Sequence, residues 1–168
     1  MRKMILALVL AMMTAGMASA QNYMVVDSEK VFKSISSYNT ALDNIEKLAE
    51  QYQQQVDAKF AEVEQLYNSY MQQRASLSEA YRQQYEQMIL QKEAEATEYQ
   101  ESLFGTEGEL MKKRMELIQP IQQRVFSTIE SFSRQYGYDL VIDISANPTI
   151  LYYSSKVDYT DRIIAALK

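Results

Sequence analysis

Asp139 and Asp143 come closest in this sequence to a pair of side chains that could do chemistry. Facing carboxylates can divide acid and base work between them. Both fall in the alternating stretch 138–144, so they share one strand face. Four residues along a strand hold them ~13 Å apart, too far for a concerted pair, and they read as a solvated face. The chain has no His, no Cys and no Trp. That removes the commonest general base, thiol nucleophiles and soft metal ligands. Gly105-Thr-Glu-Gly108 lacks the spacing and the Lys of a phosphate-binding loop. Glu62 and Glu64 lie on different helix faces. Composition therefore points away from an enzyme, a metal site or a cofactor, and toward binding.

The residues suited to binding are Tyr67, Tyr70, Met71, Tyr81, Tyr85 and Met88. Tyr joins apolar area to a polar end, and Met repacks against many shapes. Such a surface suits weak, adaptable contact with varied partners. Tyr52 and Tyr99 fit better as a seam between helices. For Tyr67, Tyr70, Tyr81 and Tyr85, seam and contact surface are equal alternatives.

These residues sit in a long run, 39–136, whose apolar positions recur in steps of three and four, as in Leu42, Ile45, Leu48, Tyr52 and Val56. Helix of that length indicates a coiled coil or a protruding hairpin. Ser76 and Glu79 fit a capping box that starts a new helix near Leu77. The run is expected to fold back there as an antiparallel hairpin, with arms 40–75 and 77–136 and a tip near 75–78. Gly105 and Gly108 are read inside the second arm, where each costs ~1 kcal/mol relative to Ala. They are a candidate hinge, with close packing on the first arm as the alternative, and replacing both with Ala is expected to stabilise the helix. Counted through the turn, Gly105 lies opposite Lys47.

Around the hairpin, residues 1–20 read as an export signal. Arg2 and Lys3 precede an apolar core from Met4 to Met13, and Ala18-Ser19-Ala20 is a small-residue cleavage site. Cleavage after Ala20 leaves a single exported domain, 21–168. Its body takes in 21–38 and 137–168, and its hairpin 39–136. In the body, 23–26 reads as a strand, and Ser28 caps a short helix from Glu29 to about Ile35. Gly137 ends the hairpin. Residues 138–144 and 149–153 read as a strand pair around an Asn147-Pro148 turn, and Asp158 caps a last helix, 159–167. The fold class is α+β. About 50 body residues bury too little core alone, so further copies are expected to cover the strand surface. Val25, Val26, Leu140, Ile142, Ile144, Ile150 and Tyr152 are the residues expected in that shared body.

Charge is unevenly placed. Residues 40–110 hold 14 acidic and 5 basic residues, a balance of −9, whereas 111–168 stand at +2. An acidic hairpin does not track a phosphate backbone, so nucleic acid is excluded as a partner.

The opening Met24-Val-Val-Asp-Ser-Glu-Lys-Val-Phe32 and the closing Tyr136-Gly-Tyr-Asp-Leu-Val-Ile-Asp143 resemble the Skp (OmpH-like) family of periplasmic chaperones. Ile150-Leu-Tyr-Tyr153 and Val157-Asp-Tyr-Thr-Asp161-Arg-Ile-Ile164 extend the likeness. The resemblance implies a jellyfish-like homotrimer whose strands build a shared β-barrel. Three helical tentacles then enclose a cavity for unfolded outer-membrane or other envelope proteins, held without ATP. One departure stands out. Well-known members of the family carry strongly basic tentacles, whereas these arms are acidic. Only Lys112, Lys113 and Arg114 form a tight basic group, near the body, so a lipopolysaccharide site is not carried over. The competing reading is a structural coiled-coil spacer or scaffold of the envelope, which needs stiff helices and no client cavity.

Overall fold

The computed structural model of the protein describes residues 22–145 and 147–168. The signal segment 1–20 and its cleavage point lie outside the described residues. Two compact units emerge, one of 35–123 and one of 22–34 with 124–168.

The body unit is built on strand β1 (Tyr23–Val26), helix α1 (Ser28–Lys33) and strand β2 (Leu140–Asp143), followed by a 3-10 turn (Ser155–Val157) and helix α5 (Thr160–Ala166). β1 and β2 run parallel, with Val25 opposite Ile142 and Val26 opposite Asp143. Met24, Val25 and Val26 are all buried, as both faces of a parallel strand require. On its other side Val25 bridges to Asp158, and its carbonyl accepts the Tyr159 amide. Val31, Val125, Ile163 and Leu167 complete the core. Asp27, not Ser28, caps α1, by accepting the Lys30 amide. Ser28 instead turns its hydroxyl to Asp143 and Ser145, tying the start of α1 to the end of β2. Asp158 accepts the Thr160 amide at the start of α5.

The expected strand 149–153 does not form. Among the described residues no strand pairs with it, and Leu151 and Tyr152 are 94 % and 85 % exposed. The strand pair of the body is therefore β1 with β2, not a hairpin of 138–144 with 149–153.

The hairpin unit consists of helix α2 (Ser36–Gln73), helix α3 (Glu79–Phe104) and the first part of helix α4 (Glu109–Tyr136). α2, at 38 residues, is ~57 Å long. Ser78, rather than Ser76, caps α3 by accepting the Tyr81 amide. Ser76 instead donates to the Gln73 carbonyl and closes the turn. Three side-chain pairs fix the antiparallel register. Tyr70 stacks on Tyr85, Tyr99 donates to Gln55, and Tyr52 meets Phe104 edge-on. Gly105 thus lies level with Gln51 rather than Lys47. Beyond Gly108, Ala41, Ile45 and Ile118 form a second seam with Leu42, Leu110 and Leu117.

Gly105 and Gly108 are not inside a helix. They bracket a break between α3 and α4, where the Gly105 amide still bonds the Glu101 carbonyl and the Gly108 amide bonds that of Gly105. The expected gain from Ala substitution is reversed, because a Cβ on Gly105 would sit 2.5 Å from the Glu101 oxygen, and one on Gly108 2.8 Å from the Leu103 carbonyl. The close approach is to the end of their own helix, not to the first arm.

The second part of α4 belongs to the body unit, although the sequence division placed it with the hairpin. Arg124 donates to the Leu167 carbonyl, Phe126 meets Phe32 edge-on, and Phe132 packs against Tyr159. Gly137 takes φ +71° and ends α4, with the Tyr138 amide on the Ser133 carbonyl. That left-handed stop with its six-residue hydrogen bond is the expected glycine terminus.

Candidate functional site

A cleft of ≈460 Å³ opens at the tip of the hairpin, lined by Tyr67, Tyr70, Met71, Arg74, Glu86, Ile89 and Leu90. The lining follows from helix geometry. Tyr67 and Met71 on α2 and Arg74 at its C-cap recur at four and three residues, and Glu86 faces them with Ile89 and Leu90 from α3. Tyr70 forms the floor. It is 3 % exposed, stacks on Tyr85 at 5.7 Å between ring centroids, and donates its hydroxyl to Glu86 at 2.5 Å. Arg74 in turn donates from Nε to the Tyr70 oxygen at 3.2 Å. The bond to Glu86 pushes the Tyr70 phenol above its ordinary range, since a phenolate would face the carboxylate. The bond to Tyr70 likewise raises Arg74, so the guanidinium stays charged at the mouth.

This Arg–Tyr–Glu chain fixes the floor under an exposed apolar wall. Tyr67, Met71 and Leu90 are 48 %, 47 % and 65 % exposed. An apolar side chain entering the cleft would cover them, at about 25 cal/mol per Å² of apolar surface removed from water.

Of the tip residues expected from sequence, Tyr67, Tyr70 and Met71 line one cleft. Tyr85 lies behind Tyr70 as its stacking partner, so Tyr70 and Tyr85 belong to the seam as much as to the surface. Tyr81 and Met88 are exposed but line no part of the cleft. Ile89, Leu90, Arg74 and Glu86 were not singled out. Leu90 was legible in principle, because it falls one residue off the α3 seam and must face outward.

In the body unit, Val25 and Val26 are buried within the chain. Ile142, Ile144 and Ile150 are half-buried, whereas Leu140 and Tyr152 are exposed, joined by Leu151. No helix of the described residues is long and apolar enough to cross a membrane.

A family model described as outer membrane protein (OmpH-like) matches residues 22–167. No curated protein matches the chain significantly. Among solved structures, the chain is similar to a candidate outer membrane chaperone (OmpH-like) from Caulobacter crescentus. The TM-score is 0.64 at 12 % identity, over 89 % of this chain and 85 % of that one. That likeness is one of fold.

Proposed function

The chain belongs to the OmpH-like family of outer membrane proteins, and from that premise we propose that it is a chaperone of unfolded outer-membrane proteins. The finer reading is an ATP-independent holdase of the periplasm, working as a homotrimer. Hairpins from three copies enclose the space that holds a client. The observation that carries this reading is the tip cleft. It presents Tyr67, Met71 and Leu90 to solvent on a hairpin whose own seam is already filled by Val56, Ala96 and Leu103. Exposed apolar surface that the fold does not use internally marks a contact site. Its Tyr and Met content suits clients without a fixed shape.

Trimer formation is supported by two features of the body. β2 has β1 on one side only, and the apolar segment 151–153 carries no secondary structure and leaves Leu151 and Tyr152 exposed. A second copy can pair with both. A stiff envelope spacer is the weaker alternative, since the break at Gly105–Gly108 interrupts the helix such a role needs.

The test dilutes an outer-membrane barrel protein from urea into buffer with the mature protein at one trimer per client. Light scattering should stay near baseline without nucleotide. Undiminished aggregation would falsify the holdase reading.

A further inference from the structure

The tip cleft does not end at Leu90. A second cleft of ≈470 Å³ shares Leu90 and continues along α3 past Glu93, Ala94, Thr97, Glu98 and Glu101. A third, of ≈380 Å³, shares Glu98 and Glu101 and reaches Gly105 and Gly108 at the helix break. The three form one track within the hairpin unit, apolar at the tip and acidic beyond it. From Leu90 to Gly105 it covers about 23 Å of helix, the length of roughly seven extended residues.

The carboxylates of this track lack bases of their own. Lys92 is engaged by Glu95 at 2.8 Å, Arg82 by Glu79 at 3.7 Å and Lys112 by Glu109 at 2.8 Å. Lys59 lies over the Tyr99 ring, 5.7 Å from its centroid. Glu93, Glu98 and Glu101 enter no ion pair among the described residues. They are all exposed along a helix whose neighbours add further negative charge. Like charges left this close along a helix are mutually unfavourable, and a cationic ligand relieves that.

We propose that the track docks an extended, unfolded polypeptide segment in which an apolar or aromatic side chain is followed by several Lys or Arg residues. The apolar residue enters between Tyr67, Met71 and Leu90. The cationic residues then lie along Glu93, Glu98 and Glu101. This inference rests on the chaperone reading and names the class of client segment it selects: cationic, amphipathic and unfolded. The sign of the arm charge thereby sets client choice. Carboxylates select basic segments and disfavour acidic ones by the same repulsion.

The experiment uses the full mature protein and two fluorescein-labelled twelve-residue peptides. Both carry Leu and Tyr at one end, with Lys and Arg spaced along one peptide and Glu at the same places in the other. Anisotropy should give at least about tenfold tighter binding of the basic peptide at low salt. That preference should shrink as NaCl rises, because exposed charges are screened. The triple variant Glu93→Gln, Glu98→Gln, Glu101→Gln should lose the preference while keeping its helix signal. Leu90→Ser should weaken both peptides alike.

Equal binding of the two peptides, or an unchanged preference in the triple variant, overturns the proposal. So does a change in sedimentation of the triple variant, which would make this face a contact between copies instead. A parallel aggregation assay separates the two levels. Suppression of basic and acidic barrel clients alike leaves the chaperone reading standing and the track refuted. No suppression of any client removes both.

Discussion

Tyr70 and Glu86 meet across the tip of the hairpin, the phenol hydroxyl 2.5 Å from the carboxylate, so one hydrogen bond joins α2 to α3 just before the turn. Tyr70→Phe keeps the ring on Tyr85 and loses that bond. Its urea midpoint should fall slightly, while Tyr70→Ala, which also removes the stacking partner, should lower it far more. The bond favours the neutral phenol, so its ionisation is raised in the folded state. The stability it gives is present below about pH 10 and is lost as pH rises through the folded value. Tyr70→Phe should lack that alkaline component. Equal alkaline unfolding curves for variant and parent would contradict it.

Gly105→Ala and Gly108→Ala should each destabilise, by about 1–3 kcal/mol, because the added methyl meets backbone and not a flexible side chain. Chemical denaturation of each single variant measures this. A stabilised variant would mean that the break closes into continuous helix.

If the break is a hinge, as we propose, Thr106 and Glu107 should exchange their amide hydrogens faster than the middle of α3. Native-state hydrogen exchange reads this residue by residue. Uniform protection from residue 95 through residue 115 would rule the hinge out.

Leu151→Asp with Tyr152→Asp should turn the proposed trimer into monomers while leaving helix content intact. Both side chains are almost fully exposed in the single chain, so the change tests the interface and not the core. Ile142→Asp should also break the trimer, but it sits opposite Val25 and would loosen the body as well. Sedimentation of the double variant as an unchanged trimer would place the interface elsewhere.

Burial pushes the Asp143 carboxyl up, but hydrogen bonds from Ser28 and Ser145 outweigh it and hold the group below its ordinary range. The stability this gives is present above about pH 4 and is lost as pH falls through the folded value. Asp143→Asn should therefore be less stable than the parent at pH 7. The gap should close in acid, once the parent carboxyl is protonated. Urea midpoints at a series of pH values check this. A gap that persists at pH 2 would show that the carboxylate charge is not what matters.

Much of the architecture was legible in the sequence because its signals are local. The three-and-four spacing gave the long helices, and Gly137 gave the left-handed stop, each within a few residues. What was missed depends on partners distant in sequence. Residues 149–153 have strand composition but no strand partner among the described residues, so composition alone misplaced them. The pairing of β1 with β2 joins residues on either side of the whole hairpin. The caps at Asp27 and Ser78 each stand beside a second plausible capping residue, and only the competing bonds of Ser28 and Ser76 decide between them. At the tip, residue type singled out Tyr67 and Met71. It could not show that Tyr70 turns inward onto Tyr85 and Glu86.

Parallel pairing of β1 with β2 also imposes an order of events in time. Asn22 bonds Asp139 and Ser28 bonds Asp143, separations of 117 and 115 residues. A chain emerging from its N-terminus must hold Met24, Val25 and Val26 without a strand partner until nearly all of it has appeared. The hairpin, whose contacts near the tip span few residues, can zip meanwhile, and once Ala41 meets Ile118 the remaining loop between the strands is far shorter. Hairpin first and body last is then the cheap route in entropy. During that interval the nascent protein exposes an unpaired apolar strand, Met24 to Val26, that only the last part of the chain can cover.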